Sequence, residues 1–350
     1  MFLHGIFPPI TTPFYPDGGV YYKKLESNVE RYSRVPMAGM VVLGSTGEAI
    51  LLSDEERREV LRVARQAASP DKVLVAGTGI ESAIETLRLT EYAAALGYDV
   101  AMVRTPHYYK SQMQPENLLA FYRFVADRSP LPVIIYNFPQ ATGYDIPADV
   151  VIALAEHPNL IGIKESSGNL EKVKAMVEGT RHIHREVAVT DVFAAVTGRM
   201  LAAPAPAPEA ALISAASLGA VAPMAVAAPP AIKTRTKDAG FQVLVGSAQT
   251  LLPSLELGAV GAILAFACPA PTACFEIYTA WKDGDHKLAE EKQARIAAAA
   301  KRIVSDMGIP GLKYALDFNG YYGGPPRLPL LPPTSEIKAE VESLLASIRN

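Results

Sequence analysis

A chain of 350 residues that is 49% apolar and 20% charged has the composition of an ordinary globular protein, and is long enough for a single α/β barrel. A net charge of −3 leaves no basic footprint for nucleic acid, and the two cysteines, Cys268 and Cys274, are too few for a disulfide framework and read as reduced core thiols. Met1 to Gly5 lacks the basic start and long apolar run of a signal peptide, and no apolar stretch suits a membrane span, so the expected location is cytoplasmic.

Gly5 to Phe14 reads as a first strand leading into a proline-bearing loop. Tyr22 to Arg34 has helical spacing, and Gly39 to Leu43 is a strand followed by the turn Gly44-Ser45-Thr46-Gly47-Glu48. Ser53-Asp54-Glu55-Glu56 caps a helix running to about Ala68, with acids in the first turn where the helix dipole favours them. Strands at Val73 to Ala76, Asp99 to Arg104 and Val133 to Tyr136 alternate with helices at Glu81 to Leu96, Pro115 to Arg128 and Pro147 to Glu156. Leu160 to Lys164 is a short buried strand, and Leu170 to Glu178 the helix after it. Later come strands at Gln242 to Val245 and Val260 to Ala265, with helices at Leu251 to Leu257 and Thr272 to Trp281. Eight strand–helix units imply a parallel sheet closed as a (β/α)8 barrel over residues 1–283. Helical patterns at Lys287 to Asp306, Leu312 to Phe318 and Ser335 to Ile348 form a C-terminal helical extension over 284–350.

One segment breaks the rhythm. About sixty residues separate the helix ending near Gly179 from the strand at Gln242, where two to six are usual. Its Ala203 to Ala211 and Val226 to Pro230 runs are alanine-proline rich, the composition of a semi-rigid linker. The segment is expected to be a surface insertion between strands 6 and 7, at about 181–240. Val187 to Met200 is richer in β-branched residues, as an ordered piece of it would be. It leaves the barrel after a helix, and therefore should emerge opposite the active site.

The chemistry is expected at the C-terminal strand ends, where Ser45-Thr46, Tyr108-Tyr109, Tyr136 and Lys164 meet. A lysine ending a buried strand loses hydration, which disfavours its ammonium form, and a neutral amine is what Schiff-base chemistry needs. The same lysine could instead snorkel to water, and a strand-end tyrosine commonly serves packing. The Gly44 to Glu48 turn offers N–H groups and two hydroxyls to a small carboxylate, although a tight β-to-α turn reads the same way. His182-x-His184 lacks a matching third ligand nearby, Gly77-Thr78-Gly79 lacks the third glycine of a dinucleotide fingerprint, and His107 reads as a pocket-edge or interface residue; no metal is expected.

Taken together and in order, GSTGE (Gly44 to Glu48), TPHYYK (Thr105 to Lys110), YNFP (Tyr136 to Pro139) and GIKESSG (Gly162 to Gly168) resemble the dihydrodipicolinate synthase and N-acetylneuraminate lyase family of pyruvate-dependent class I aldolases. The resemblance covers nearly the whole chain apart from roughly Arg181 to Gly240. AGTGIES (Ala76 to Ser82), FQVLVGSA (Phe241 to Ala248), LGAVG (Leu257 to Gly261), GIPGLK (Gly308 to Lys313) and GYYGGPPR (Gly320 to Arg327) bring it nearest to the 4-hydroxy-2-oxoglutarate aldolases.

The resemblance implies that Lys164 forms an imine with pyruvate and that Tyr136 relays protons. It implies that Ser45 and Thr46 hold the pyruvoyl carboxylate, and that one of them links Tyr136 to Tyr108, which reaches in from a neighbouring subunit of a homotetramer. Ser166, Gly246 and Ser247 match pocket-lining positions. No cofactor is implied beyond the covalent imine, and the partner is a small 2-oxo acid. One departure bears on substrate. Synthases of the family carry an arginine, after the YN-x-P motif, that binds the carboxylate of aspartate semialdehyde; here the matching residue is Ala141, and losing a bidentate carboxylate binder is not conservative. Three readings follow: cleavage of 4-hydroxy-2-oxoglutarate to pyruvate and glyoxylate; synthase chemistry (or a sugar-acid dehydratase) on the same imine; or a barrel that binds 2-oxo acids without turnover.

Overall fold

The computed structural model describes residues 1–202 and 232–348. The barrel strands are β1 (Gly5–Phe7), β2 (Gly39–Val42), β3 (Val73–Gly77), β4 (Val100–Arg104), β5 (Val133–Asn137) and β6 (Leu160–Glu165), then, after the hairpin strands β7 (Glu186–Thr190) and β8 (Thr234–Asp238), β9 (Gln242–Val245) and β10 (Gly261–Ile263). Every pairing in the large sheet is parallel, in the order β1-β10-β9-β6-β5-β4-β3-β2. The bridge Pro9–Val41, with Ile10 N donating to Val41 O at 2.9 Å, joins the two ends. The result is a (β/α)8 barrel with a helical C-terminal extension, as the strand–helix rhythm implies. Among the described residues no helix is long and apolar enough to cross a membrane.

Local chemistry sets the element boundaries. Ser53 and Glu56 make both halves of a capping box at the helix Asp54–Ala67, and Pro115 occupies the first turn of Pro115–Arg128. Side chains alternate along the strands: Val73, Val75, Val100 and Met102 fill the barrel interior, while Leu74, Ala76, Ala101 and Val103 pack against the helices.

β6 departs from that alternation. Its register against β5 runs Val133–Leu160 and then Ile134–Gly162, so one extra residue, Ile161, is accommodated in β6. Leu160 and Ile163 face the helices and Ile161 the interior. The slip turns Gly162 and Lys164 inward, level with the inward Ile134 and Tyr136 of β5. Gly162 admits the close approach of β9; a Cβ there would lie 2.3 Å from Gln242 O.

The described parts of the insertion pack at the N-terminal ends of the barrel strands. β7 and β8 form an antiparallel pair from Glu186–Asp238 to Thr190–Thr234. The Arg185 guanidinium donates to Leu160 O at 2.6 Å, where β6 begins. Thr197 Oγ1 donates to Pro70 O at 2.5 Å, and buried Arg199 meets buried Asp99 at 2.9 Å, ahead of β3 and β4. The linker-like runs Ala203 to Ala211 and Val226 to Pro230 lie in residues 203–231, outside the described residues.

Candidate active site

The loops at the C-terminal strand ends surround a cavity of about 520 Å³. Ser45, Thr46, Tyr136, Lys164, Ser166, Gly246 and Ser247 all line it. Lys164 and Tyr136, each 4% exposed, are register partners on adjacent strands. The Lys164 Nζ lies 4.0 Å from the centre of the Tyr136 ring. Among the described residues no carboxylate lies within ion-pair distance of that ammonium. The Tyr136 hydroxyl meets Ser45 Oγ at 3.3 Å, and its ring stacks on Phe138. An amine, a phenol and a serine hydroxyl thus converge on one buried space. The set can condense with a carbonyl and move a proton beside it.

Ser45, Thr46 and Gly47 form a 3-10 turn closed by Glu48 in the left-handed conformation, φ 53°. Gly246 allows its loop to press on β6, since a Cβ there would fall 1.9 Å from Ser166 Oγ. Behind the strand ends lies a polar network that sequence reasoning did not pick out. Asn137 Nδ2 donates to Glu165 Oε2 at 2.9 Å and Asp145 Oδ1 at 2.7 Å, and Lys172 Nζ meets Glu165 Oε2 at 3.1 Å. Asn137 and Glu165 directly follow Tyr136 and Lys164 and point the other way, so the network fixes the two strand ends that present the reactive pair. The only sequence signal for it was the polar residue after each reactive one.

Tyr108 does not line the cavity and is 76% exposed. Glu81 holds its loop: Oε2 accepts from His107 N at 2.9 Å and Tyr108 N at 3.1 Å, while Oε1 meets His107 Nδ1 at 2.6 Å. Burial and then Arg104 depress the His107 pKa. Burial raises that of Glu81, but the two backbone donors and its cationic neighbours win and hold it below the ordinary value. His182 and His184 turn to different carboxylates, Glu156 at 2.7 Å and Asp238 at 2.6 Å. Ala141 sits exposed in the short helix Pro139–Thr142.

The C-terminal extension is part of the cavity wall, which its separation in sequence concealed. The helix His286–Ala300 runs into a π-helical turn, Lys301–Asp306, from which Val304 and Ser305 face the cavity; Ile309 and Leu312 follow from the helix Gly308–Phe318. Gln249 Nε2, on the loop after β9, donates to Ser305 Oγ at 3.1 Å.

A family model described as "Dihydrodipicolinate synthetase family" matches residues 2–190 and 224–348. A 4-hydroxy-tetrahydrodipicolinate synthase of Methanothrix thermoacetophila is 30% identical, over 98% of this chain and 96% of its own length. The Emericella nidulans protein named "Probable 4-hydroxy-2-oxoglutarate aldolase, mitochondrial" is 31% identical, over 97% and 92%. Among solved structures, YagE, a prophage protein of E. coli K12 in complex with pyruvate, superposes with a TM-score of 0.77 at 25% identity, covering 99% of each chain.

Proposed function

The chain belongs to the dihydrodipicolinate synthetase family of lyases, and on that premise we propose that it is a Schiff-base aldolase cleaving a 4-hydroxy-2-oxo acid, 4-hydroxy-2-oxoglutarate first, to pyruvate and glyoxylate. The observation that carries the proposal is the buried Lys164 amine beside the Tyr136 phenol in the cavity that Ser45 and Thr46 line. Ser45 and Thr46 take the C1 carboxylate, and the Lys164 amine attacks C2. Water leaves, and a protonated imine forms. Tyr136 accepts the proton of the C4 hydroxyl as the C3–C4 bond breaks, and the bonding pair flows into the imine to give an enamine. The aldehyde departs, C3 is protonated, and water releases pyruvate from Lys164. The imine is the electron sink, so the cycle calls on no cofactor and no metal. Ser166, Gly246 and Ser247 shape the wall. Tyr108 completes the proton relay from a neighbouring subunit of a homotetramer, in the cytoplasm.

Cleavage is preferred over condensation with aspartate semialdehyde because Ala141 stands where a synthase presents an arginine. The similarity to an aldolase at 31% identity supports that ordering, and the one to a synthase at 30% keeps the second reading alive. The test has two parts. Borohydride with pyruvate should inactivate the protein and leave the reduced adduct on Lys164, and Lys164→Arg should abolish it. An adduct elsewhere, or none, sinks both imine readings and leaves the non-catalytic 2-oxo-acid-binding barrel. The kcat/KM values for 4-hydroxy-2-oxoglutarate cleavage and for condensation with the semialdehyde then decide between aldolase and synthase.

A further inference from the structure

Glu48 and Lys313 are both fully buried, 265 residues apart, and meet at 2.6 Å. Lys313 Nζ also donates to Thr12 O and Pro325 O, each at 2.9 Å, so its three protons are all used. The second oxygen of Glu48 accepts from Arg327 N at 2.8 Å. Burial lowers the Lys313 pKa and Glu48 opposes that shift. Buried charges this completely partnered are costly to assemble, and the barrel has apolar alternatives for filling space.

Their placement gives a reason. Glu48 closes the 3-10 turn that carries Ser45 and Thr46, its N–H donating to Ser45 O at 3.0 Å. Thr12 Oγ1 donates to Gly47 O at 2.7 Å, and Lys313 takes the carbonyl of that same Thr12. The turn is therefore gripped from behind at Gly47 and Glu48, and the grip ends on Lys313. One residue earlier, Leu312 forms part of the cavity wall. An unbalanced Glu48 carboxylate directly behind this turn would also repel an anion arriving in front of it.

We propose that Glu48 and Lys313 are a positioning pair for substrate carboxylate: Glu48 sets the turn, and Lys313, supplied by the C-terminal extension, holds Glu48 in place and cancels its charge. The assignment rests on the reading that Ser45 and Thr46 receive the carboxylate of a 2-oxo acid bound at Lys164. It makes the extension part of substrate recognition through a contact that never touches substrate.

The test compares two carbonyl probes in borohydride trapping on Lys164: pyruvate, which has the carboxylate, and hydroxyacetone, which lacks it. Trapping is read by intact mass for the parent, Lys313→Met and the charge-balanced Glu48→Gln/Lys313→Met, alongside thermal melting. The expected result is at least a tenfold rise in the pyruvate concentration for half-maximal trapping, with hydroxyacetone trapping unchanged within about twofold. A purely structural pair would shift both probes together, or neither, and either outcome overturns the proposal. Where Lys313→Met does not fold, the double variant gives the answer; if both fail to fold, the pair is a folding element and the assignment falls. A parent protein that pyruvate does not label on Lys164 refutes the proposed function itself, whereas a labelled parent with unaffected variants refutes the positioning pair alone.

Discussion

Removing the phenol of Tyr136 should be costly, and the cost should absorb that of removing Ser45. Tyr136→Phe keeps the buried ring, its stack on Phe138 and its contact with the Lys164 ammonium, and deletes only the hydroxyl. Loss of a general acid–base group lowers turnover by about 10² to 10⁴, or roughly 2.7–5.5 kcal/mol of transition-state stabilisation. The Tyr136–Ser45 contact is 3.3 Å, long for a hydroxyl pair. A neutral hydrogen bond contributes about 0.5–1.5 kcal/mol, and the low end of that range fits such a length. Ser45→Ala alone should therefore lower kcat by roughly two- to fivefold. In the Tyr136→Phe background, Ser45→Ala should leave kcat unchanged, because the group it orients is gone. The assay is steady-state pyruvate release from 4-hydroxy-2-oxoglutarate, coupled to lactate dehydrogenase. Reading kcat keeps any contact of Ser45 with the substrate carboxylate, expressed in KM, out of the comparison. Equal cost of Ser45→Ala in both backgrounds would refute the coupling, and full activity of Tyr136→Phe would place the proton relay elsewhere.

Arg199→Met should destabilise the fold by about 3–5 kcal/mol at neutral pH, since it strands the buried Asp99 carboxylate. Burial already lifts the Asp99 pKa while Arg199 pulls it down, so the folded state binds that proton more tightly than the unfolded chain; the contribution of this group to stability is fullest at low pH and is lost as pH rises through the folded pKa. Without Arg199 the folded pKa moves further up, and the melting deficit should be large at pH 7–8 and shrink towards pH 4; a pH-independent deficit would count against this. Tyr108 and Tyr109 in the loop after β4, Ile50 in the 3-10 turn Ala49–Leu51 after β2, and Ile84 in the first turn of the helix Ala83–Leu96 after β3 are all exposed, a surface suited to a subunit contact. Light scattering should report a tetramer built as a dimer of dimers, with Tyr108→Phe lowering kcat; a monomer with full activity would remove Tyr108 from the proposal. Replacing residues 203–231 by a short linker should leave pyruvate trapping intact, because the flanking segments pack at the barrel's opposite end; lost trapping in a folded, tetrameric protein would mean the insertion reaches the site.

The barrel was legible because its signals are local. Hydrophobic alternation, Ser53 with Glu56, and Pro115 each need only a few neighbouring residues, and the helices at Tyr22–Arg34 and Pro115–Arg128 fall where their patterns place them. Lys164 and Tyr136 were legible as a pair because consecutive strands of such a barrel are adjacent. What escaped depends on contacts distant in sequence. β8 reads as five mostly polar residues, Thr-Arg-Thr-Lys-Asp, and becomes a strand only against β7, more than forty residues earlier. The part played by Ser305 and Leu312 in the cavity wall, and the reach of Lys313 back to Glu48, follow from how the extension folds over the barrel mouth. The extra residue in β6 leaves no mark in the string Leu-Ile-Gly-Ile-Lys-Glu, because a slip of register is a relation between two strands.

That slip decides which of two opposite charges enters the barrel. Counted by plain alternation from the outward Leu160, Lys164 would face the helices and Glu165 the cavity. The same six residues paired with β5 without the slip would still contain every side chain the proposed reaction uses, in the same order. That pairing would place an acid where the amine now stands, while the lysine would lie buried among the apolar side chains of the surrounding helices. An electrophile-seeking site would become one that repels its own anionic substrate, with nothing lost from the composition. The nucleophile of this barrel is thus specified by register as much as by residue type, and a strand without the extra residue would reach the same inward lysine by plain alternation.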